Sequence, residues 1–134
     1  MYITLTDTKE KEWLLGKYSY NIKLGSLKCF SQKLGYGDDF MGVLFKNELE
    51  DDPYMTQTEL GIDINRVDDN QILLTADYPA TISDDKNAQE MIFMHFDEFY
   101  GYLVEIVNER IAETPSDKAE YEQLLSEVKT ALGL

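Results

Sequence analysis

The chain has 134 residues, with 26 acidic and 12 basic side chains and a formal net charge of −14. This length predicts a single domain over residues 1–134, and 43% hydrophobic residues are enough to fill its core. Such an acidic chain is repelled by phosphate backbones and anionic lipid, which argues against direct binding to nucleic acid or to a membrane.

Two helices are predicted before Gly35. The first covers residues 8–16, with Trp13 and Leu14 as its core contacts. The second covers residues 19–34, with Ser19 as a cap and Gly35 as a stop signal. Its apolar side chains recur at near-helical spacing: Leu24, Leu27, Phe30 and Leu34.

The middle of the chain has the pattern of β-strands. Residues 41–45 form a short apolar run, and residues 59–66 and 71–78 alternate between apolar and polar side chains. The turn signal VDDN between the two alternating segments predicts that they form an antiparallel hairpin. Residues 91–96 are apolar except for His95, which is typical of a central strand covered on both faces.

The C-terminal part predicts two helices. Asp97 is the expected cap of the first, and Thr114 with Pro115 marks the start of the second, which ends at Gly133. Their apolar stripes are Phe99, Leu103, Ile106, Val107 and Ile111, and Tyr121, Leu124, Leu125, Val128 and Leu132. The fold class is therefore α+β, with about four mostly antiparallel strands and N-terminal and C-terminal helices packed on the sheet.

The net charge is confined to the middle of the chain. Residues 38–105 contain 17 acidic and three basic side chains, whereas the two flanks together hold nine of each. An evenly solvated surface does not require such asymmetry. A local excess of negative charge instead points to a basic partner. The alternative is that these are loop residues, since Asp is common in turns for its side-chain hydrogen bonds.

No catalytic or ligand-binding motif is present. The chain lacks a phosphate-binding glycine loop and a serine elbow, and its acidic segments do not match a calcium loop. A pairing of Cys29 with His95 is conceivable, but both residues are more typical of the core. We therefore predict no catalytic residue, no metal and no cofactor. A small enzyme that uses two carboxylates as acid and base remains an alternative.

Cys29 is the one cysteine, so an internal disulfide is impossible. The first residues lack the basic segment and apolar core of a signal peptide, and no apolar run approaches the roughly 20 residues of a membrane span. We therefore expect a cytoplasmic protein.

The remaining candidate site is an acidic surface with interleaved aromatic residues, which serve as interface anchors while carboxylates orient a cationic partner. Tyr36, Phe40 and Tyr78 lie beside acidic residues but could equally be core, whereas Tyr54 follows Pro53 in a polar loop and is expected to be exposed. The predicted partner-binding residues are Asp38, Asp39, Glu48, Glu50, Asp51, Asp52, Tyr54, Asp68 and Asp69.

Three stretches resemble the immunity proteins of bacterial contact-dependent growth inhibition (CDI) systems, particularly those that act against ribonuclease toxins. They are LGYGDDFMGVLF at residues 34–45, the acidic strand region that follows, and MIFMHFDEFYGYLVEIV at residues 91–107. In the last stretch an apolar strand leads to an acidic cap and then to the pattern F-Y-x-Y-L. The resemblance covers most of the chain.

The resemblance implies a cytoplasmic, non-enzymatic protein that binds the C-terminal nuclease domain of one cognate toxin. A nuclease must hold phosphate, so its cleft is basic, and an acidic protein can occlude that cleft in place of RNA. Binding at an exosite is the alternative mode. A competing hypothesis is an acidic nucleic-acid mimic or adaptor that binds another basic protein.

Overall fold

The computed structural model describes residues 1–134. The strands are β1 (Ile3–Thr4), β2 (Tyr36–Gly37), β3 (Met41–Phe45), β4 (Gln71–Asp77) and β5 (Gln89–His95). The helices are α1 (Thr8–Tyr18), α2 (Leu24–Phe30), α3 (Lys46–Asp51), α4 (Phe96–Glu113) and α5 (Lys118–Ala131). The strands form one sheet in the order β1-β5-β4-β3-β2, in which only the β1–β5 pair is parallel. The predicted α+β class is confirmed, with three longer strands and two of only two residues.

One face of the sheet carries the main core. Alternate residues of the three longer strands point to this face and join side chains from α1, α2, α4 and α5 in a cluster of 25 buried residues. At its centre the ring of Phe30 lies edge-on to that of Phe99, with centroids 5.2 Å apart, and Phe45 packs against both. The predicted stripe of α4 is buried except at Ile111, which is partly buried, and the predicted stripe of the last helix is buried throughout.

A smaller apolar cluster lies on the other face of the sheet. Leu73 and Met91 contribute from the strands, and Leu49 of α3 covers them. The irregular segment 52–70 adds Leu60, Ile62 and Val67 to the same cluster. Strand β5 is therefore buried on both faces between β1 and β4, as the apolar run 91–96 predicts.

The predicted hairpin of residues 59–66 with 71–78 is wrong. Only the second segment is a strand, and β4 pairs with β3 and β5 instead. Gly61 has a φ of +69°, and the side chain of Asp63 accepts a hydrogen bond from the backbone N–H of Asn65 at 3.0 Å. A left-handed residue and a side-chain turn interrupt the extended backbone, so the alternating residues Leu60 and Ile62 are buried, and Ile64 is partly buried, without strand pairing.

The first helix is confirmed as α1, but one of its predicted core contacts is wrong. Leu14 is fully buried, whereas Trp13 is 44% exposed. The second helix is much shorter than predicted, because Ser19 lies in a separate 3₁₀ turn and α2 begins only at Leu24. It ends at Phe30 rather than near Gly35, so the predicted core residue Leu34 is exposed.

The C-terminal helix boundaries differ slightly from the prediction. His95 rather than Asp97 is the N-terminal cap of α4, and Asp97 lies in its first turn. Pro115 begins a 3₁₀ turn that precedes α5, and the side chain of Thr114 makes no capping hydrogen bond. Gly133 ends the last helix with a φ of +73°. No helix combines the length and the hydropathy needed to cross a membrane.

Candidate functional site

The predicted partner-binding residues form two groups at opposite ends of β4. Asp38 and Asp39 lie in the turn between β2 and β3, where Phe40 meets the last residue of β4. The other residues lie in and after α3 and in the turn that leads into β4. Because β4 has seven residues, the two groups are about 20 Å apart along the strand. We name them the turn end and the α3 end of the sheet.

Several carboxylates at the α3 end have structural partners. Lys46 Nζ lies 2.9 Å from Asp69 Oδ1, and this hydrogen bond raises the pKa of Lys46 and lowers that of Asp69. Glu48 Oε1 accepts the backbone N–H of Phe45 at 2.9 Å, and Asp52 Oδ1 accepts that of Met55 at 3.0 Å. These carboxylates therefore cap local structure, as the turn alternative predicts.

The other predicted residues of the α3 end are more accessible. Glu50, Asp51 and Asp68 are exposed, and their carboxylates take part in none of the capping contacts of this region. Tyr54 is 72% exposed, which confirms the predicted exposure of this side chain.

Asp38 organises the turn end. Its Oδ1 accepts the backbone N–H groups of Phe40 and Met41 at 2.8 and 2.9 Å, and its Oδ2 lies 3.4 Å from Asn21 Nδ2. Partial desolvation acts to raise the pKa of Asp38, but these hydrogen bonds outweigh it and lower the pKa. The carboxylate is therefore held ionised in a defined position, while Asp39 beside it is exposed.

A shallow groove follows β2 and β3 and joins the two ends. A Cβ atom at Gly35 would lie 2.0 Å from the Val43 carbonyl oxygen, and one at Gly37 would lie 2.1 Å from that of Met41. Side chains are therefore excluded where these backbones meet. Carboxylates from both ends line the groove: Asp38, Asp39, Glu48 and Asp77.

The turn end also carries most of the exposed aromatic residues. Six aromatic side chains are exposed, and five of them lie at or next to this end, whereas Tyr54 belongs to the α3 end. We call these five the aromatic rim: Trp13, Tyr20, Tyr36, Phe40 and Tyr78. The possibility that Tyr36, Phe40 and Tyr78 are core residues is therefore wrong. Their position beside acidic residues was the available sequence signal. Trp13 also follows an acidic residue but was expected in the core, and Tyr20 has no acidic neighbour.

A series of contacts joins the members of the aromatic rim. The Phe40 carbonyl accepts the backbone N–H of Asp77, next to Tyr78, at 2.7 Å. Lys17 Nζ lies 3.4 Å from the Pro79 carbonyl oxygen and 4.3 Å from the ring centroid of Trp13. The contact between Asn21 and Asp38 brings the turn that carries Tyr20 to the same place.

Two polar side chains, one partly buried and one fully buried, hold the segments that carry the rim. Arg110 donates from Nη2 to the Ser19 carbonyl at 2.7 Å and from Nε to the Ile22 carbonyl at 3.0 Å. The Tyr18 hydroxyl donates to the Tyr36 carbonyl, and burial raises the pKa of this phenol, so it remains a donor. These roles connect residues far apart in the chain, and no local sequence pattern indicates them.

Glu90 is acidic but does not belong to the acidic surface. It is 2% exposed, and its two carboxylate oxygens accept the backbone N–H groups of Ile82 and Ser83 at 2.7 and 3.1 Å. Asp77 also has an internal role, because the Tyr2 hydroxyl donates to it at 2.8 Å. Burial and this hydrogen bond raise the pKa of Tyr2.

The candidate site is an exposed surface. No group of three or more His, Cys, Asp or Glu side chains is arranged to hold a metal ion. Cys29 and His95 are both partly buried, on α2 and at the end of β5. What the exposed residues offer is a large negative surface with aromatic side chains at one end, which suits a protein partner.

Comparison with known proteins identifies a family. Curated proteins and solved structures yield none. The family model described as CDI immunity protein, CdiI_4, matches residues 13–125, which include both ends of the sheet, three of the five helices in full and parts of the other two. The resemblance noted from the sequence is thereby confirmed, and the chain belongs to the CDI immunity protein family.

Proposed function

We propose that this chain binds a basic nuclease toxin domain, in particular that of a ribonuclease. Its acidic surface neutralises the toxin by occluding the toxin's active-site cleft. Membership of the CDI immunity protein family supports an immunity function against a toxin. The observation that carries the finer proposal is the confinement of the whole net charge to residues 38–105. In this proposal the protein acts in the cytoplasm, as a stoichiometric inhibitor without turnover of its own.

The physical argument starts from the substrate of a nuclease. A cleft that holds a phosphate backbone needs Lys and Arg, and an inhibitor with a complementary negative surface competes for the same groups. Charge complementarity of this kind raises association rate constants to about 10⁸–10⁹ M⁻¹s⁻¹ at low salt. Fast capture is valuable here because a free nuclease molecule damages the cell that produces it.

The charges of residues 38–105 favour this mode over a purely apolar contact. Two of the three basic residues in 38–105 lie beside carboxylates, Lys46 beside Asp69 and Arg66 beside Asp63. Most of the remaining carboxylates are exposed at the sheet ends and the connecting loops. The hydrogen-bonded ones among them still carry charge, so they contribute to the field while they hold the turns.

The test combines inhibition with charge reversal. A toxin domain encoded by a neighbouring gene is purified, and its nuclease activity is measured with and without the immunity protein. The double variant Glu50→Lys, Asp51→Lys reverses two exposed charges and leaves the capping residue Asp52 in place. We expect its association rate constant to fall about tenfold at low salt, with the difference shrinking as salt screens the charges.

The matched control reverses two exposed charges in the flanks, which are neutral when taken together: Glu109→Lys and Glu127→Lys. It makes the same change in net charge, so a comparable loss of rate would mean that the location of the charge is irrelevant. A toxin domain that is bound but has no nuclease activity would refute the nuclease assignment. Full nuclease activity in the saturated complex would refute active-site occlusion.

A further inference from the structure

The aromatic rim is an unusual surface for a protein with so many charged residues. Tyr20 is 77% exposed and Phe40 is 46% exposed, although the core on the adjacent sheet face is built from similar rings. Exposed aromatic side chains that gather in one region mark interaction sites. Burial of their apolar surface is favourable in free energy, and in this protein it occurs only when a partner covers them.

The charge around the rim restricts the chemistry of that partner. Asp38, Asp39 and Asp77 lie among the rim residues and line the groove that begins there. Lys17 is the cation in contact with the rim, and its ammonium group lies over the ring of Trp13. The rim therefore combines aromatic faces with carboxylates, which is the combination that binds Arg and Lys side chains by stacking and by charge.

We propose that the aromatic rim, with Asp38 and Asp39, is the anchoring part of the toxin interface and binds Arg and Lys side chains of the toxin domain. This inference rests on the proposed function. It gives the two ends of the sheet different roles in toxin binding. The turn end provides the contacts that keep the complex together. The α3 end contributes attraction over distance and little to the lifetime of the complex.

The rim is held in place before any partner arrives. Arg110 fixes the carbonyls of Ser19 and Ile22 on either side of Tyr20, and Asp38 fixes the backbone at Phe40. Rings on a preorganised backbone lose little conformational entropy on binding, so more of their contact energy contributes to affinity. Binding energy in protein interfaces concentrates in such aromatic residues.

The α3 end supplies a matched control within the same molecule. Tyr54 is an exposed aromatic residue in an acidic surrounding, but it lies outside the rim. A general preference of the toxin for aromatic and acidic surface would involve Tyr54 as much as Tyr20 or Phe40. The proposal requires that only the rim residues matter for dissociation.

The experiment measures the association and dissociation rates of the purified cognate toxin domain with three single variants of the full chain. We expect Tyr20→Ala and Phe40→Ala to raise the dissociation rate constant about 30-fold each, as for interface hot spots, with little change in association. For Tyr54→Ala we expect a change of less than about threefold, as for most interface residues. All three side chains are exposed, so folding is checked by unchanged thermal midpoints.

A second experiment identifies the side chains that the toxin domain covers in the complex. Hydroxyl-radical footprinting of the complex should show protection of Tyr20, Phe40 and Tyr78, with Tyr54 remaining as reactive as in the free protein. A role in folding alone would not produce this protection, because the free protein already has the same fold.

The outcomes separate this inference from the proposed function. If the wild-type protein binds and Tyr54→Ala shortens the complex lifetime as much as Phe40→Ala, the rim is not the anchor, although the immunity proposal stands. If the rim variants dissociate quickly but the toxin has no nuclease activity, the rim is supported and the nuclease assignment fails. If the wild-type protein does not bind its toxin domain, both proposals fail.

Discussion

The two ends of the sheet have similar acidity but are built differently. The α3 end packs on the sheet through the apolar side chain of Leu49; Glu48 and Asp52 cap only the backbone of their own segment, and Glu50, Asp51 and Asp68 are exposed. The turn end is held by polar contacts, such as those of Asp38 and Arg110 with backbone groups. Hydrogen bonds are directional, whereas apolar contacts are much less so. The turn end is therefore better suited to hold exposed side chains in a fixed geometry.

This contrast shows that the count of acidic residues is a poor guide to the site. Glu90 and Glu48 add to the formal charge, yet one is buried and the other caps a helix. The exposed aromatic residues distinguish the two ends much more clearly, with five at one and Tyr54 at the other. The comparison therefore depends on what holds each end together, and three substitutions examine it.

The largest effect is expected at the α3 end from Leu49→Ala. Leu49 is 1% exposed, and its truncation leaves a cavity between α3 and the sheet, which should lower the free energy of unfolding by about 2–4 kcal/mol. Urea denaturation measures this loss. Leu34→Ala serves as the control, since Leu34 is 45% exposed and its truncation should cost much less. Equal losses would mean that packing does not hold α3 in place.

A smaller loss is expected at the turn end from Arg110→Met, which keeps an unbranched side chain of similar size. It removes the donors to the Ser19 and Ile22 carbonyls and should lower the free energy of unfolding by about 1–3 kcal/mol. Amide hydrogen exchange should also become faster in residues 19–22.

Its control is Arg66→Met, which removes an arginine whose side chain is 88% exposed and 3.8 Å from Asp63. Exposed ion pairs contribute little, so we expect a change below about 0.5 kcal/mol. If both arginine variants were equally stable, the turn end would not depend on the hydrogen bonds of Arg110.

The sequence predicted the elements that have strong local signals. The apolar stripes of α4 and α5 and the doubly buried strand β5 follow from periodicity alone. The hairpin failed because residues 59–66 have an alternating pattern that also suits an irregular segment packed on a sheet face. Periodicity reports which side chains are buried, and it does not report whether the backbone has a strand partner.

The site was predictable to a lesser degree. The charge partition indicated a basic partner, and the turn at Asp38 and Asp39 was singled out before the fold was known. The aromatic rim was missed because Trp13 and Tyr20 are far from that turn in the chain and meet it only through Lys17 and Asn21. Contacts of this kind depend on the packing of α1 beside the sheet, which no single segment encodes.

The smallest effect concerns the pH dependence of the turn end. Because the pKa of Asp38 is lowered in the folded state, its ionised form stabilises the fold. This contribution is complete above the unfolded pKa of about 3.9 and is lost as the pH falls through the lower folded value. We therefore expect the stability difference between the wild-type protein and Asp38→Asn to be constant near neutral pH and to shrink below about pH 4.

Denaturation curves between neutral and acidic pH measure this difference, with Asp39→Asn as the control for removal of a neighbouring charge. Asp39 takes no part in the hydrogen bonds to Phe40 and Met41, so its substitution should cost less stability at neutral pH. If Asp39→Asn lowered the stability more than Asp38→Asn, then Asp38 would not be the carboxylate that organises the turn. Something other than Asp38 would then fix the backbone at Phe40, and the claim that polar contacts of Asp38 hold the turn end would fail.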